Sequence, residues 1–261
     1  MSPADRPEQD QRQLEASAMP LMEHLKELRR RIMIAGGAIA VCVMGCFFVA
    51  PDIWDFLVQP MNDALRAQDA GTMAVLAPLE GIVTYLKVAV VAGFFAAAPV
   101  IAWQVWSFVG PGLYAREKKI LIPLVVSSTL LFIGGAAFGY FVIFKYAFVF
   151  FLSVTEGAAQ AVMSMEAYLK TATRLLAAFG ISFQLPVVVY FLARIGLIDA
   201  RDMVRGFKYS IVGIFVVAAI ITPPDILTQC LMAAPLTLLY GVGVLIAALV
   251  STKKRSPEKG A

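Results

Sequence analysis

Apolar runs dominate the chain, and their lengths set the first expectation. Six uncharged or nearly uncharged stretches follow one another, at residues 32–50, 88–115, 120–144, 175–193, 209–224 and 226–252. A helix rises about 1.5 Å per residue, so ~20 residues cross a ~30 Å hydrocarbon core. Each run therefore predicts a membrane-spanning helix, and the third, extended through Phe151, is long enough to project beyond the bilayer. The fifth is short: the 14 residues from Tyr209 to Thr222 reach about 21 Å before Pro223 and Pro224. A re-entrant loop is the alternative there. Ahead of the first run, Leu21, Leu25, Leu28 and Ile32 recur at helical spacing behind Pro20, which predicts a short amphipathic helix on the membrane surface. Residues 1–18 are polar and Gln-rich and are expected to form a disordered tail; residues 253–261 form a basic tail, and 19–252 the membrane domain.

Charge placement sets the number of crossings. Cytoplasmic loops of membrane proteins carry an excess of Lys and Arg. The N-terminal segment holds six, the loop around Arg116 three, the stretch 194–208 four and the C-terminal tail four, so 17 of the 22 basic residues fall on one side. The opposite loops hold Arg66 together with Asp52, Asp55, Asp63, Asp69, Glu156, Glu166 and Asp225. Lys87, Lys145, Lys170 and Arg174 lie at or near helix ends. Only six crossings with a real fifth span give this split. The fold expected is all-α, a polytopic membrane protein with both termini in the cytoplasm and short fifth and sixth helices. Pro99, Pro123, Pro186 and Pro235 each interrupt a span, so the helices should kink and form a concave cup.

Composition agrees and removes other classes. The chain is 60% hydrophobic and 15% charged, far from the balance of a soluble domain. The net charge of +4 flanks apolar runs instead of forming the patches of a nucleic-acid binder. Its three cysteines sit within apolar runs and read as small buried hydrophobes. One histidine, His24, leaves no metal-site or Ser-His pattern, and no P-loop, HExxH or GxSxG string occurs. No catalytic residue, metal or cofactor is expected. A secretory leader fails because the first apolar run is long and lies behind a mixed-charge stretch, and the lack of a transit peptide favours a prokaryotic cytoplasmic (inner) membrane over a plastid.

Polar groups at membrane depth are costly and so are functional candidates. Glu27 either pairs with Arg31 one turn on or does something more. Glu117, in a Gly and Pro turn feeding the third span, either caps that helix or binds a cation. Gln184, in mid-span, is placed to hydrogen-bond between helices. Asp225, after Pro223 and Pro224, caps the sixth helix, whereas Gln229 has no such local role.

The strings HLKELRRRI, APVIAWQVWSFVGPGLYAREKK, FGISFQLPV and ITPPDILTQ, in this order and spacing, resemble the TatC family, the receptor subunits of twin-arginine protein translocases. The resemblance covers residues 19 to 252 and departs from the family at Gln184, where many members carry glutamate. It implies a receptor for folded precursor proteins whose signal peptides carry paired arginines, read by Glu27 and Glu117 with Arg29 and Phe108 shaping the site. It also implies single-span partners, TatB and TatA, docking where Thr222 and Gln229 lie, self-association in the receptor complex, and transport driven by the proton-motive force. Pro99, Pro223 and Asp225 are the structural members of the motifs. Two rival classes remain: a proton- or ion-coupled small-solute secondary transporter using Lys87, Gln184 or Arg174, and a scaffold with no substrate.

Overall fold

The computed structural model describes residues 6–67, 73–109, 118–155, 164–221 and 226–255. Their elements are α1 (Arg6–Phe48), α2 (Ala50–Ala67), α3 (Glu80–Ala96), α4 (Ala98–Val109) and α5 (Lys118–Phe138), then a π-helical turn (Gly139–Ile143). After it come α6 (Phe144–Thr155), α7 (Met165–Ser182), α8 (Leu185–Ile195), α9 (Ala200–Ile221) and α10 (Ile226–Arg255). No strand occurs among the described residues; one parallel bridge joins Ala74 to Ser164.

Among the described residues, five helical stretches are long and apolar enough to cross a membrane, and the α3–α4 pair makes a sixth if it is one broken span. The outer faces fit that environment. Not one residue of the apolar window in α1 is buried, and Phe48 is 80% exposed. In water such a surface would be a large apolar patch; in a bilayer the hydrocarbon covers it.

The breaks follow the prolines. The pair α3–α4 bends by 50° at Ala97, and Pro99, in the first turn of α4, has no N–H to continue the ladder. Between α7 and α8 the helix breaks at Phe183 and Gln184, and Pro186 opens α8. Pro123 and Pro235 lie inside α5 and α10. The fifth and sixth spans, expected to be short, are α9 with 22 residues and α10 with 30: α9 starts in the polar stretch ahead of its apolar run, and α10 follows the whole of the long sixth run. The surface helix expected before the first span is continuous with it. Residues 6–18, expected to lack structure, belong to the same helix, consistent with their Glu, Gln, Arg and Ala content.

One element was not foreseen. Helix α2 lies across one end of the bundle and buries Trp54, Leu57, Met61 and Leu65 at helical spacing. Pro60 sits inside it and offers no N–H to the carbonyl of Phe56, four residues earlier. Tyr140, in the π-helical turn, donates its hydroxyl to that carbonyl, and Tyr168 of α7 donates to the next one, Leu57. A proline that would weaken an isolated helix thus supplies a docking point for a buried tyrosine. The Trp54 ring meets Tyr168 edge-on with centroids 5.9 Å apart.

Helices α5 and α7 approach closely through glycine. A Cβ on Gly135 would stand 2.6 Å from the carbonyl oxygen of Phe179, so no larger residue fits this crossing.

Candidate functional site

Two sequence motifs separated by about 80 positions meet at the end of the bundle opposite α2. His24 of α1 stacks on Phe108 in the last turn of α4, with centroids 4.3 Å apart and planes at 22°. Glu27 lies one turn along α1 from that stack. Its Oε1 accepts from Nε of Arg31 at 3.0 Å and also from Nη2, the i,i+4 pair expected from spacing. The pair is only partly buried. Arg29 is exposed on the same helix and has no ion-pair partner among the described residues. The structure therefore brings Glu27, Arg29 and Phe108 to one end and holds Glu27 in reach of solvent. Glu117 lies outside the described residues, as do Thr222, Pro223 and Asp225.

Deeper along the same wall, the polar groups are satisfied between helices. Gln184 donates Nε2 to the carbonyl oxygen of Ser128 at 3.0 Å, and Trp106 donates Nε1 to the Ser128 hydroxyl at 2.8 Å. Three helical segments are joined at one buried serine, which is the interhelical role expected of Gln184. These residues border an apolar cavity of about 210 Å³ between α4 and α5, with Phe94, Ala102 and Phe132. Neither Lys87 nor Arg174 lines it. Lys87 instead pairs with Glu166 near the α2 end. The three residues offered for a solute site do not form one.

Gln229 donates Nε2 to the carbonyl oxygen of Phe215 at 2.9 Å, tying α10 to α9. The partner absent from its own helix is supplied by the neighbour. Tyr240 makes a second such tie, its hydroxyl donating to Met203 O at 2.8 Å.

Glu80 escaped the sequence reading. It is buried at the start of α3, where its carboxylate accepts from the backbone N–H groups of Leu76 at 2.6 Å, Ala77 at 3.2 Å and Glu166 at 3.0 Å. It joins the segment leading into α3 to the start of α7. The signal available was a lone acid opening an apolar helix, where carboxylates are favoured. Among the described residues no group of three or more metal-binding side chains occurs.

An α-helical protein that crosses the membrane several times, with a part-exposed carboxylate one turn from an interhelical ring stack at one end, is the class these features define. The family model for Sec-independent protein translocase protein (TatC) matches residues 23–235. A Helicobacter pylori protein of that name is 40% identical over 91% of this chain and 92% of its own. An Aquifex aeolicus relative is 37% identical over 92% of this chain and its full length. A crystal structure described as the twin arginine translocase receptor TatC superposes with a TM-score of 0.78 at 36% identity, covering 87% of this chain and 99% of the other. The chain belongs to the TatC family and is a subunit of the protein translocase machinery.

Proposed function

We propose that this protein is the receptor of a twin-arginine translocase, reading paired arginines in the signal peptides of folded precursors. Glu27 and Glu117 take the two guanidinium groups, and Arg29 and Phe108 shape the approach. A guanidinium is always charged and bonds a carboxylate through two parallel N–H groups, a geometry that an ammonium cannot copy. The observation that carries the reading is the convergence of the Glu27 and Phe108 motifs through the His24 stack. The Glu27–Arg31 pair supports it as well, since this carboxylate already accepts from a guanidinium, through Oε1.

The basic segments support a reading with this end of the bundle and both termini in the cytoplasm and α2 outside, in the inner membrane of a prokaryote. The apolar wall around the cavity beside Gln184 faces the apolar stretch that follows the arginines, and the cavity itself takes one or two of its side chains. The α9–α10 hairpin, with Thr222 and Gln229, docks the single-span subunits TatB and TatA, and receptor copies self-associate. The proton-motive force drives export, and the protein itself carries no catalytic residue or cofactor.

The test is co-purification from membranes with a precursor bearing paired arginines and with the same precursor bearing paired lysines. Retention of the first alone is expected. Equal retention of both, or of neither, contradicts a receptor that reads arginine.

A further inference from the structure

A long cleft runs between α3–α4 and α5, with α7–α8 behind it, and it contains two cavities. The one nearer Glu27 is the 210 Å³ cavity beside Gln184, bordered by Phe94, Val105 and Phe132. The other, of about 410 Å³, lies under α2 and is bordered by Phe56, Val91, Phe95, Ile133 and Phe141. Neighbouring residues divide between them on both walls: Phe94 and Phe132 belong to the first cavity, Phe95 and Ile133 to the second. The cavities therefore abut at a single level of the cleft.

That level is filled by rings. Phe132 of α5 stacks on Phe95 of α3 with centroids 5.0 Å apart and planes at 29°, and meets Phe94 edge-on at 6.1 Å. Behind it, Phe132 rests on Gly180 of α7, where an added Cβ would come within 2.9 Å of the ring. The ring has a seat only because residue 180 has no side chain. Aromatic pairs are individually weak, so this barrier is held by packing that a bound apolar segment can replace.

We propose that Phe94, Phe95 and Phe132 form a gate across this cleft, and that its opening sets how far the apolar helix of a bound signal peptide reaches toward α2. The proposal rests on the signal-peptide reading above. With the gate closed, the wall from Phe94 to Trp106 offers 12 residue steps, about 18 Å. With the gate open, the wall from Val88 to Trp106 offers 18 steps, about 27 Å along its contour and about 24 Å end to end across the 50° bend, most of the ~30 Å hydrocarbon core. A short occupant becomes a nearly spanning one. The occupant enters from the Glu27 end, because Val105 and Trp106 directly precede the turn that carries Phe108, and α2 covers the far cavity with Phe56 and Leu57.

The experiment uses the full chain in membranes with its partner subunits and a radiolabelled arginine-pair precursor. A photoreactive benzoyl-phenylalanine stands at Val105 in one set of samples and at Phe141 in another. In the parent, crosslinks to the signal peptide should be strong from position 105 and weak from 141. Phe132→Ala removes the barrier, and Gly180→Ala pushes the ring off its seat while keeping all three phenylalanines. Both should raise the yield from 141 several-fold relative to the yield from 105 in the same variant. If the yield from 141 stays at the parental level in both variants while 105 still crosslinks, the gate is refuted and the receptor reading stands. If 105 fails to crosslink in the parent itself, the receptor reading fails and the gate fails with it.

Discussion

Glu27 is not an empty socket: Arg31 already occupies it. Both contacts fall on Oε1, so an incoming arginine shares this carboxylate with Arg31 or displaces it, and the pair acts as an internal competitor as well as a helix brace. Partly exposed ion pairs of this kind contribute about 0.2–1 kcal/mol. Arg31→Ala should therefore tighten binding of an arginine-pair signal peptide by up to about fivefold in a pull-down titration. Weaker binding would mean that Arg31 contacts the peptide itself. Gln184 gives a second test at this scale, because the structure shows which half of its amide is used. A carbonyl oxygen accepts only from a donor, so the bond to Ser128 needs the NH₂ group. Gln184→Leu loses the bond and should lower stability in detergent by about 0.6–2 kcal/mol. Gln184→Glu keeps the bond only while the carboxyl is protonated. Its melting temperature should fall relative to the parent as pH rises, and an identical pH profile for the two proteins would contradict the assigned contact.

At the scale of elements, long apolar runs were legible because only helices satisfy their own backbone in hydrocarbon, and Pro99 and Pro186 foretold two breaks, whereas Pro123 and Pro235 lie within unbroken helices. Helix α2 was not legible, since Pro51, Pro60 and the acids at 52, 55 and 63 disguise its apolar stripe as a loop. What fixes it is tertiary: Tyr140 and Tyr168 reach its carbonyls from elements some 80 to 110 residues away. The π-helical turn that aims Tyr140 was equally silent, because its residues read as ordinary apolar helix. Tyr168→Phe should loosen α2 by about 1 kcal/mol, the usual net value of such a hydrogen bond, and speed proteolysis within residues 50–67. Glu80→Ala should speed cleavage ahead of α3, by freeing the N–H groups of Leu76 and Ala77. If the cleavage rates match the parent's in both variants, these contacts do not hold the α2 end together.

The whole molecule is a bundle whose two ends differ in character. One end carries the basic segments, Glu27 and Phe108; the other is closed by α2, Glu80 and the Lys87–Glu166 pair. The sequence made the first end legible through motif strings and charge counts, and left the second dark because its ties are hydrogen bonds between distant segments. A reporter active only outside the cytoplasm should be active when fused after Asp69 or Gly157 and inactive after Arg201 or Lys254. Activity at Lys254 would put the C-terminus outside and remove the sixfold crossing. Glu27 and Glu117 are proposed to form one arginine-reading site at the basic end. A lost charge-assisted contact of about 1.5–3 kcal/mol corresponds to roughly ten- to a hundredfold weaker binding. The direct measurement is a binding titration of Glu27→Ala, Glu117→Ala and the double variant against arginine-pair and lysine-pair signal peptides. Each single variant should insert normally, lose affinity for the arginine pair on that scale and lose its preference over lysine, with the double variant less than additive. Single variants that keep the parent's preference for arginine would contradict the claim and return Glu27 to its pairing with Arg31.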